Sequence, residues 1–346
     1  MPCMKNNMEN KHKKRKDDVF IHEHLHTLAI FSFLVFLFFL YSLESTPKFY
    51  VNFYDKFNLL SHKYLSNKNI ESGLSLIFKN SQKSLDPKGY FDELNIKAKS
   101  YIVYNAKDQG IIYSKNENEV LPLASLTKVV SAITANKLTD KNTKITIRKR
   151  LMRKDEGFDL GMKEGQVWKM NDLLKYALTI SSNSSMDIIA GTVSNSNSDF
   201  VNAMNSYVKD LGYKNFYFNS ASGLDYGNVI GGEGSALEYA KLFAKSYELI
   251  PEVMSYTINS KVNLNSNSQK IYQVPNTNKS ASAIIGLMAS KTGFTDAAGG
   301  NLAVLYEPEI DKPIIIVVLG STYDERFVDV KKLLDATNTY LQDSSK

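Results

Sequence analysis

Hydrophobic and polar positions divide the chain into stretches of different character. Residues 27–43, TLAIFSFLVFLFFLYSL, carry no formal charge and are dense in Phe and Leu. The run is too uniformly apolar for a helix buried on one side, and lies near the short end of what spans a bilayer, about 17–25 residues. Residues 45–94 are rich in Lys, Asn, Ser, Tyr and Phe with weak periodicity; they read as a stalk with one short helix near Leu74–Lys79. From about Asn95 the pattern sharpens. KSYIVYNAKDQGIIYSKN is two β-rich runs around a turn at Ala106–Gly110, which predicts a hairpin. VLPLASLTKVVSAITANKL has the spacing of a buried helix that starts near Pro122–Ser125.

ITIRKRLM and GQVWKM predict short strands or loop edges, and NDLLKYALTI a helix capped by Asn171 or Asp172. MDIIAGTV, DFVNAMNSYVKDLG and SALEYAKLFAKSYELI read as helices, with a polar loop at Ser194–Ser198. KVNLNSNSQKIYQV predicts a second hairpin, GGNLAVLYE and PIIIVVLG two strands, and DERFVDVKKLLDATNTYLQ a final helix. No internal repeat is visible. The order implies an α/β domain over 95–346, with one antiparallel sheet shared by its N- and C-terminal parts and a helical insert at about 131–215.

Charge changes the reading of the first 26 residues. Lys5, Lys11, Lys13, Lys14, Arg15 and Lys16 precede the apolar run, so the formal net charge of +6 is concentrated there in part. Positive-inside then predicts a cytoplasmic tail over 1–26, a transmembrane anchor over 27–43, a linker over 44–94 and a folded domain outside the membrane. Tyr41, Phe49, Tyr50, Phe53 and Tyr54 suit an interfacial belt. The competing readings are a cleaved signal peptide, for which SLESTPKF offers no A-x-A site, and a buried core helix. No basic run is paired with aromatics in a nucleic-acid module, so no nucleic-acid partner is expected.

Scarcity constrains the chemistry. The single cysteine, Cys3, excludes a disulfide scaffold, a Cys-rich zinc site and a cysteine nucleophile in the folded part. The five histidines, His12, His22, His24, His26 and His62, all precede the sharply patterned region. A Ser-His-Asp triad and a histidine general base are therefore unavailable to it.

A hydroxyl nucleophile without histidine needs another base, and a lysine held neutral can serve. Ser125 and Lys128, at i and i+3 near a helix start, share a face within the apolar stretch LPLASLTKVVSAI. Ser45/Lys48 and Ser206/Lys209 match the same spacing, the first beside the membrane and the second on a solvated helix face. Taken alone, Ser125/Lys128 is equally an N-cap serine with a snorkelling lysine. Ser181-Ser182-Asn183 follows the helix NDLLKYALTI and is open to reading as a helix end or cap cluster. Lys291-Thr292-Gly293 occurs once, before a strand; a cation, a hydroxyl and a glycine suit an anionic substrate end, or a plain turn.

In this order the three elements resemble those of penicillin-binding proteins and class A β-lactamases. With LPLASLTKV, LLKYALTISSNSSMDIIA, ASGLDYGN, PNTN and KTGFTDAAGGNL, residues 95–340 are similar to the D-alanyl-D-alanine carboxypeptidases of the low-molecular-mass penicillin-binding group. The chain departs from the group's pattern at Ser184-Ser185, where Asp-Ala is common. It departs again at LMAS before Lys291, where a shorter glycine-containing approach is usual.

The resemblance implies a β-lactamase/transpeptidase-like α/β fold, an antiparallel sheet flanked by helices with a helical subdomain, here preceded by one N-terminal transmembrane helix. It implies Ser125 as the nucleophile that forms an acyl-enzyme, Lys128 as its base and Ser181 as the proton relay to the leaving D-alanine. Asn183, Lys291, Thr292 and Gly293 would bind substrate, Lys291 would help keep Lys128 neutral, and the backbone N–H groups of Ser125 and Phe294 would form the oxyanion hole. No metal or organic cofactor is expected. The expected partners are peptidoglycan stem peptides, β-lactams as covalent inhibitors, and the bilayer through 27–43. Three alternatives stay open: a D,D-endopeptidase on cross-links, a β-lactamase with Glu156 or Glu164 activating water, and a catalytically silent muropeptide-binding protein.

Overall fold

The computed structural model describes residues 86–148, 162–266 and 271–344. The expected cytoplasmic tail, anchor and aromatic belt, most of the stalk, and Glu156 lie outside them. Among the described residues no helix is long and apolar enough to cross a membrane.

Helix α1 (Lys88–Phe91) precedes strands β1 (Ser100–Asn105), β2 (Gly110–Lys115) and β3 (Leu121–Pro122). A 3-10 turn, Ala124–Leu126, feeds α2 (Thr127–Leu138). A largely helical block follows: β4 (Lys144–Thr146), β5 (Val167–Lys169), α3 (Met170–Thr179), α4 (Asn183–Val193), α5 (Asn197–Asp210), β6 (Tyr217–Phe218), β7 (Gly232–Gly234), α6 (Ala236–Leu249) and α7 (Pro251–Met254). The chain returns through β8 (Lys261–Asn265), β9 (Ile271–Pro275), β10 (Leu287–Thr295), β11 (Gly299–Tyr306) and β12 (Ile314–Ser321) to α8 (Glu325–Ser344).

The main sheet has the order β10-β11-β12-β1-β2, antiparallel throughout. Its centre is β12, IIIVVLGS, whose unbroken apolar run reflects burial on both faces. Side-chain alternation splits that run between two cores. Ile314, Ile316 and Val318 pack with Phe91, Val330 and Leu333 on the α1/α8 face, while Ile315, Val317 and Leu319 pack against the helical block. The predicted hairpins at β1–β2 and β8–β9 both form.

Three local readings are corrected. Helix α3 starts at Met170 with Lys169 at its N-cap position, so Asn171 and Asp172 sit inside the first turn. A side-chain cap is unnecessary there, because the N–H groups of Met170 and Asn171 donate to the carbonyls of Thr143 and Lys141 at 2.9 and 3.0 Å. The second concerns Lys291-Thr292-Gly293, which lies within the edge strand β10 and not in a turn before a strand. The register of β10 against β11 shifts between Leu287 and Ala289, a bulge in the LMAS approach.

The third is the start of the domain. The compact unit begins at Ser84, and Phe91, buried, stacks on Tyr113 at 4.6 Å, so residues 86–94 belong to the domain and not to the linker. Helix α6 packs its apolar face on the sheet.

Candidate active site

The nucleophile candidate sits on a strained turn. Ala124, directly before Ser125, has φ of +49°, a left-handed conformation that costs an L-residue roughly 1–2 kcal/mol. Neighbouring backbone holds it. Gly223 (φ +76°) approaches so closely that a Cβ there would lie 1.9 Å from the Ala124 carbonyl oxygen. On the opposite side, a Cβ on Gly293 would lie 2.7 Å from the Leu123 oxygen and 3.2 Å from the Ser125 nitrogen. Glycine at both positions lets two backbones meet at Ser125. Asn301 Nδ2 donates to Pro122 O at 2.9 Å and Tyr239 Oη to Leu126 O at 3.0 Å, pinning the turn from either end.

Helix α2 is buried on nearly all sides, which carries Lys128 into the interior at 0% exposure. Its Nζ lies 2.6 Å from Ser125 Oγ and also donates to Asn183 Oδ1 and, at 2.7 Å, to the carbonyl of Ser222. The amide oxygen and the carbonyl can only accept. Ser125 Oγ, Asn183 Oδ1 and Ser222 O thus gather around one buried nitrogen, within proton-transfer reach of the Ser125 hydroxyl.

The Ser181-Ser182-Asn183 segment resolves into separate roles. Ser182 is the N-cap of α4 and accepts from Ser185 N at 3.1 Å. Ser184 and Ser185, the departure from the group pattern, are buried behind it, and Ser185 Oγ also donates to Ser182 Oγ at 2.9 Å. Ser181, with φ of +64° just past the end of α3, is turned toward β10, and its Oγ accepts from Lys291 Nζ at 2.9 Å. Left-handed backbone at a non-glycine residue on each side of one cleft marks strain stored where a site is assembled.

Lys291 is 2% exposed. Burial holds its ammonium well below the ordinary lysine value, and the charges of Lys128 and Arg326 push it further the same way. Its second acceptor is the Thr292 carbonyl at 2.9 Å. Thr292 Oγ1 pairs with Thr277 Oγ1 at 2.7 Å, and Gly293 O accepts from Arg326 Nη1 at 2.7 Å. The Phe294 ring is 42% exposed and meets Tyr323 edge-on, with ring centroids 5.0 Å apart.

Ser125, Lys128, Ser181, Asn183, Lys291, Thr292 and Gly293 thus converge, joined by Lys128–Asn183 and Ser181–Lys291 contacts. Sequence reasoning missed the Ser222 carbonyl, Thr277 and Arg326. ASGLDYGN and PNTN contain the first two, but a carbonyl acceptor has no side-chain signature, and Arg326 is one basic residue of an amphipathic final helix. Ser206 and Lys209 are exposed on α5, the solvated pair their spacing allowed. Glu164 is exposed in the turn before β5. Among the described residues no cluster of three or more His, Cys, Asp or Glu could hold a metal ion.

A family profile described as D-alanyl-D-alanine carboxypeptidase matches residues 86–322. D-alanyl-D-alanine carboxypeptidase DacF of Bacillus subtilis is 28% identical over 248 residues, 70% of this chain and 62% of that protein. The chain therefore spans about three fifths of that relative's length. A protein of Haemophilus influenzae named D-alanyl-D-alanine endopeptidase is 26% identical, over 68% of this chain and 80% of that one. Among solved structures, penicillin-binding protein D2 of Listeria monocytogenes in its ampicillin-bound form superimposes with a TM-score of 0.62 at 27% identity. The match covers 70% of this chain and 98% of that one.

Proposed function

The chain belongs to the D-alanyl-D-alanine carboxypeptidase family of serine peptidases, and on that premise we propose that it removes the terminal D-alanine from peptidoglycan stem peptides through an acyl-enzyme on Ser125. One observation carries the reading: Lys128 Nζ stands 2.6 Å from Ser125 Oγ with Asn183 and Ser222 as acceptors for its N–H groups. In that arrangement Lys128 takes the Ser125 proton as Oγ attacks the D-Ala-D-Ala carbonyl. The oxyanion forms against the backbone N–H groups of Ser125 and Phe294, where Gly293 permits the close approach. Ser181, hydrogen-bonded to Lys291, relays the proton that Lys128 took to the departing D-alanine nitrogen, so Lys128 is neutral again when that product leaves. Water then enters from the vacated side, and Lys128 deprotonates it to release the shortened peptide.

The terminal carboxylate is received by Thr292 and Lys291, with Arg326 adding positive charge from behind β10. Asn183 has a second duty beyond the substrate contact expected of it, because its Oδ1 orients the base. β-Lactams acylate the same serine. The tether is the apolar run 27–43, preceded by its basic tail, and it places the domain outside the cytoplasmic membrane. External protease on spheroplasts digests the domain and spares an N-terminal tag if that topology holds.

Hydrolysis of cross-links by the same residues is the second reading, favoured by the endopeptidase name of one relative. Incubating the purified protein with mixed muropeptides, followed by mass analysis, separates the two. Loss of one alanine residue per stem supports the carboxypeptidase; conversion of dimers to monomers supports the endopeptidase. An unchanged mixture overturns both.

A further inference from the structure

A second concavity lies apart from the Ser125 cluster. A cavity of about 390 Å³ opens between α5, β6 and the loop 219–226, within the size range of small-ligand sites, roughly 300–1,000 Å³. Apart from Asp187, which is buried, its lining is neutral and rich in groups that both donate and accept. Asn197, Asn202, Asn205 and Asn219 contribute amides, and Tyr217 and Tyr226 stand half-exposed at 54% and 50%. No lysine, arginine or histidine lines it among the described residues, whereas the Ser125 site is dominated by cations. An anionic ligand has no counter-charge there. A neutral ligand with many hydroxyl and amide groups and flat C–H faces matches amides beside aromatic rings.

The walls are pre-formed. Asn205 Nδ2 donates to Phe218 O and Phe218 N donates back to Asn205 Oδ1, each at 2.9 Å, so β6 is clamped to α5. Ser220 Oγ accepts from Gly223 N at 2.9 Å and donates to Leu224 O at 3.1 Å, while Tyr226 and Val229 exchange two backbone bonds. The cavity also shares a loop with the Ser125 site. Ser220 and Ala221 line it, and the next carbonyl along, Ser222 O, accepts from Lys128 Nζ.

We infer that this cavity binds a neutral saccharide unit of the glycan to which a stem peptide is attached, so that the enzyme takes hold of its substrate by the sugar as well as by the peptide end. The inference rests on the substrate class proposed above. Tyr217 offers the stacking face, and Asn197 and Asn202 the hydrogen bonds. Because the loop that forms the site carries Ser222, a bound sugar also steadies the carbonyl that orients Lys128.

The test titrates a peptide-free glycan oligosaccharide into the full-length protein in detergent by calorimetry, using the parent, Tyr217→Ala and Asn202→Ala. Both substitutions are exposed and outside the catalytic groups. The parent binds saturably, Tyr217→Ala weakens binding about tenfold, and fluorescent penicillin acylates all three at one rate. In turnover, kcat/KM for glycan-attached stem peptide falls in Tyr217→Ala toward the value for free peptide, which itself does not move. No saturable binding, or equal affinity in parent and both variants, overturns the inference. Normal acylation without glycan binding refutes the cavity assignment alone. Glycan binding without acylation or alanine release refutes the proposed reaction instead.

Discussion

Ser181 Oγ accepts a hydrogen bond from Lys291 Nζ at 2.9 Å across 110 residues of chain, tying the end of α3 to the edge strand β10. In the proposed reaction the pair brings a hydroxyl and a buried amine to the point where the leaving nitrogen needs a proton. Ser181→Ala is expected to slow acylation by a β-lactam about 10²–10⁴-fold, the usual contribution of a positioned acid–base group. In a Lys291→Ala background the same change costs far less, because the relay is already broken. Stopped-flow acylation of the four proteins closes the cycle. Strictly multiplicative losses would mean that the two residues act independently.

The nucleophile is tested by covalent mass. Incubation with a penicillin adds one adduct to the parent and none to Ser125→Ala, while peptide mapping of the parent places the adduct on Ser125. The fold persists, because the substitution removes one half-buried hydroxyl and its bond to Lys128, a loss of about 0.5–1.5 kcal/mol. Equal labelling of the alanine variant refutes the assignment.

Glycine at 223 is a steric requirement of the active-site turn. In Gly223→Ala the left-handed backbone alone costs roughly 1–2 kcal/mol, and the new Cβ, 1.9 Å from Ala124 O, forces the turn away as well. The variant is expected to melt lower than the parent and to acylate more slowly, since Ser125 moves with Ala124. Gly212→Ala, also left-handed at φ +81° but with open space around its Cβ, serves as the control that costs stability without activity. Parental acylation in Gly223→Ala would detach Ser125 from the clamp.

Much of this was legible before any coordinate. The main sheet's two halves, the buried helix after Ser125 and the hairpin turns announce themselves because their apolar spacing is strong and local. Ser125–Lys128 is likewise one helical face. The partnership of Lys128 with the Ser222 carbonyl was not legible, since any residue supplies a carbonyl and only the fold decides which one points inward. The cap of α3 misled for a related reason: Asn171 and Asp172 are good caps by type, but two carbonyls from the preceding loop had already satisfied the helix. KTG looked like a turn because a lysine and a glycine are poor strand residues. They are tolerated where β10 is an edge and backbone approaches at Gly293. Ser181 carries no sequence mark of its left-handed backbone.

Burial first, and the charges of Lys128 and Arg326 after it, hold Lys291 well below the ordinary lysine value. A lysine whose folded value lies below its ordinary 10.5 binds fewer protons in the folded protein than in the unfolded chain between those two values. Stability therefore rises with pH across that window, and the full penalty is present below it. Lys291→Met keeps the stem and discards the charge, so it is expected to be more stable than the parent at pH 7 while losing its activity, the trade of a strained site for function. Each kcal/mol gained raises Tm by about 2–4 °C in a chain of this size. The advantage shrinks as pH climbs toward 10.5, where Lys291 is neutral in both states and its bonds to Ser181 and the Thr292 carbonyl work in the parent's favour. Urea unfolding of both proteins at several values between pH 7 and 10.5 measures this difference. A gap that stays constant, or a variant less stable than the parent at pH 7, would mean that the buried ammonium is compensated in the folded state and that Lys291 binds the carboxylate without any stored electrostatic strain.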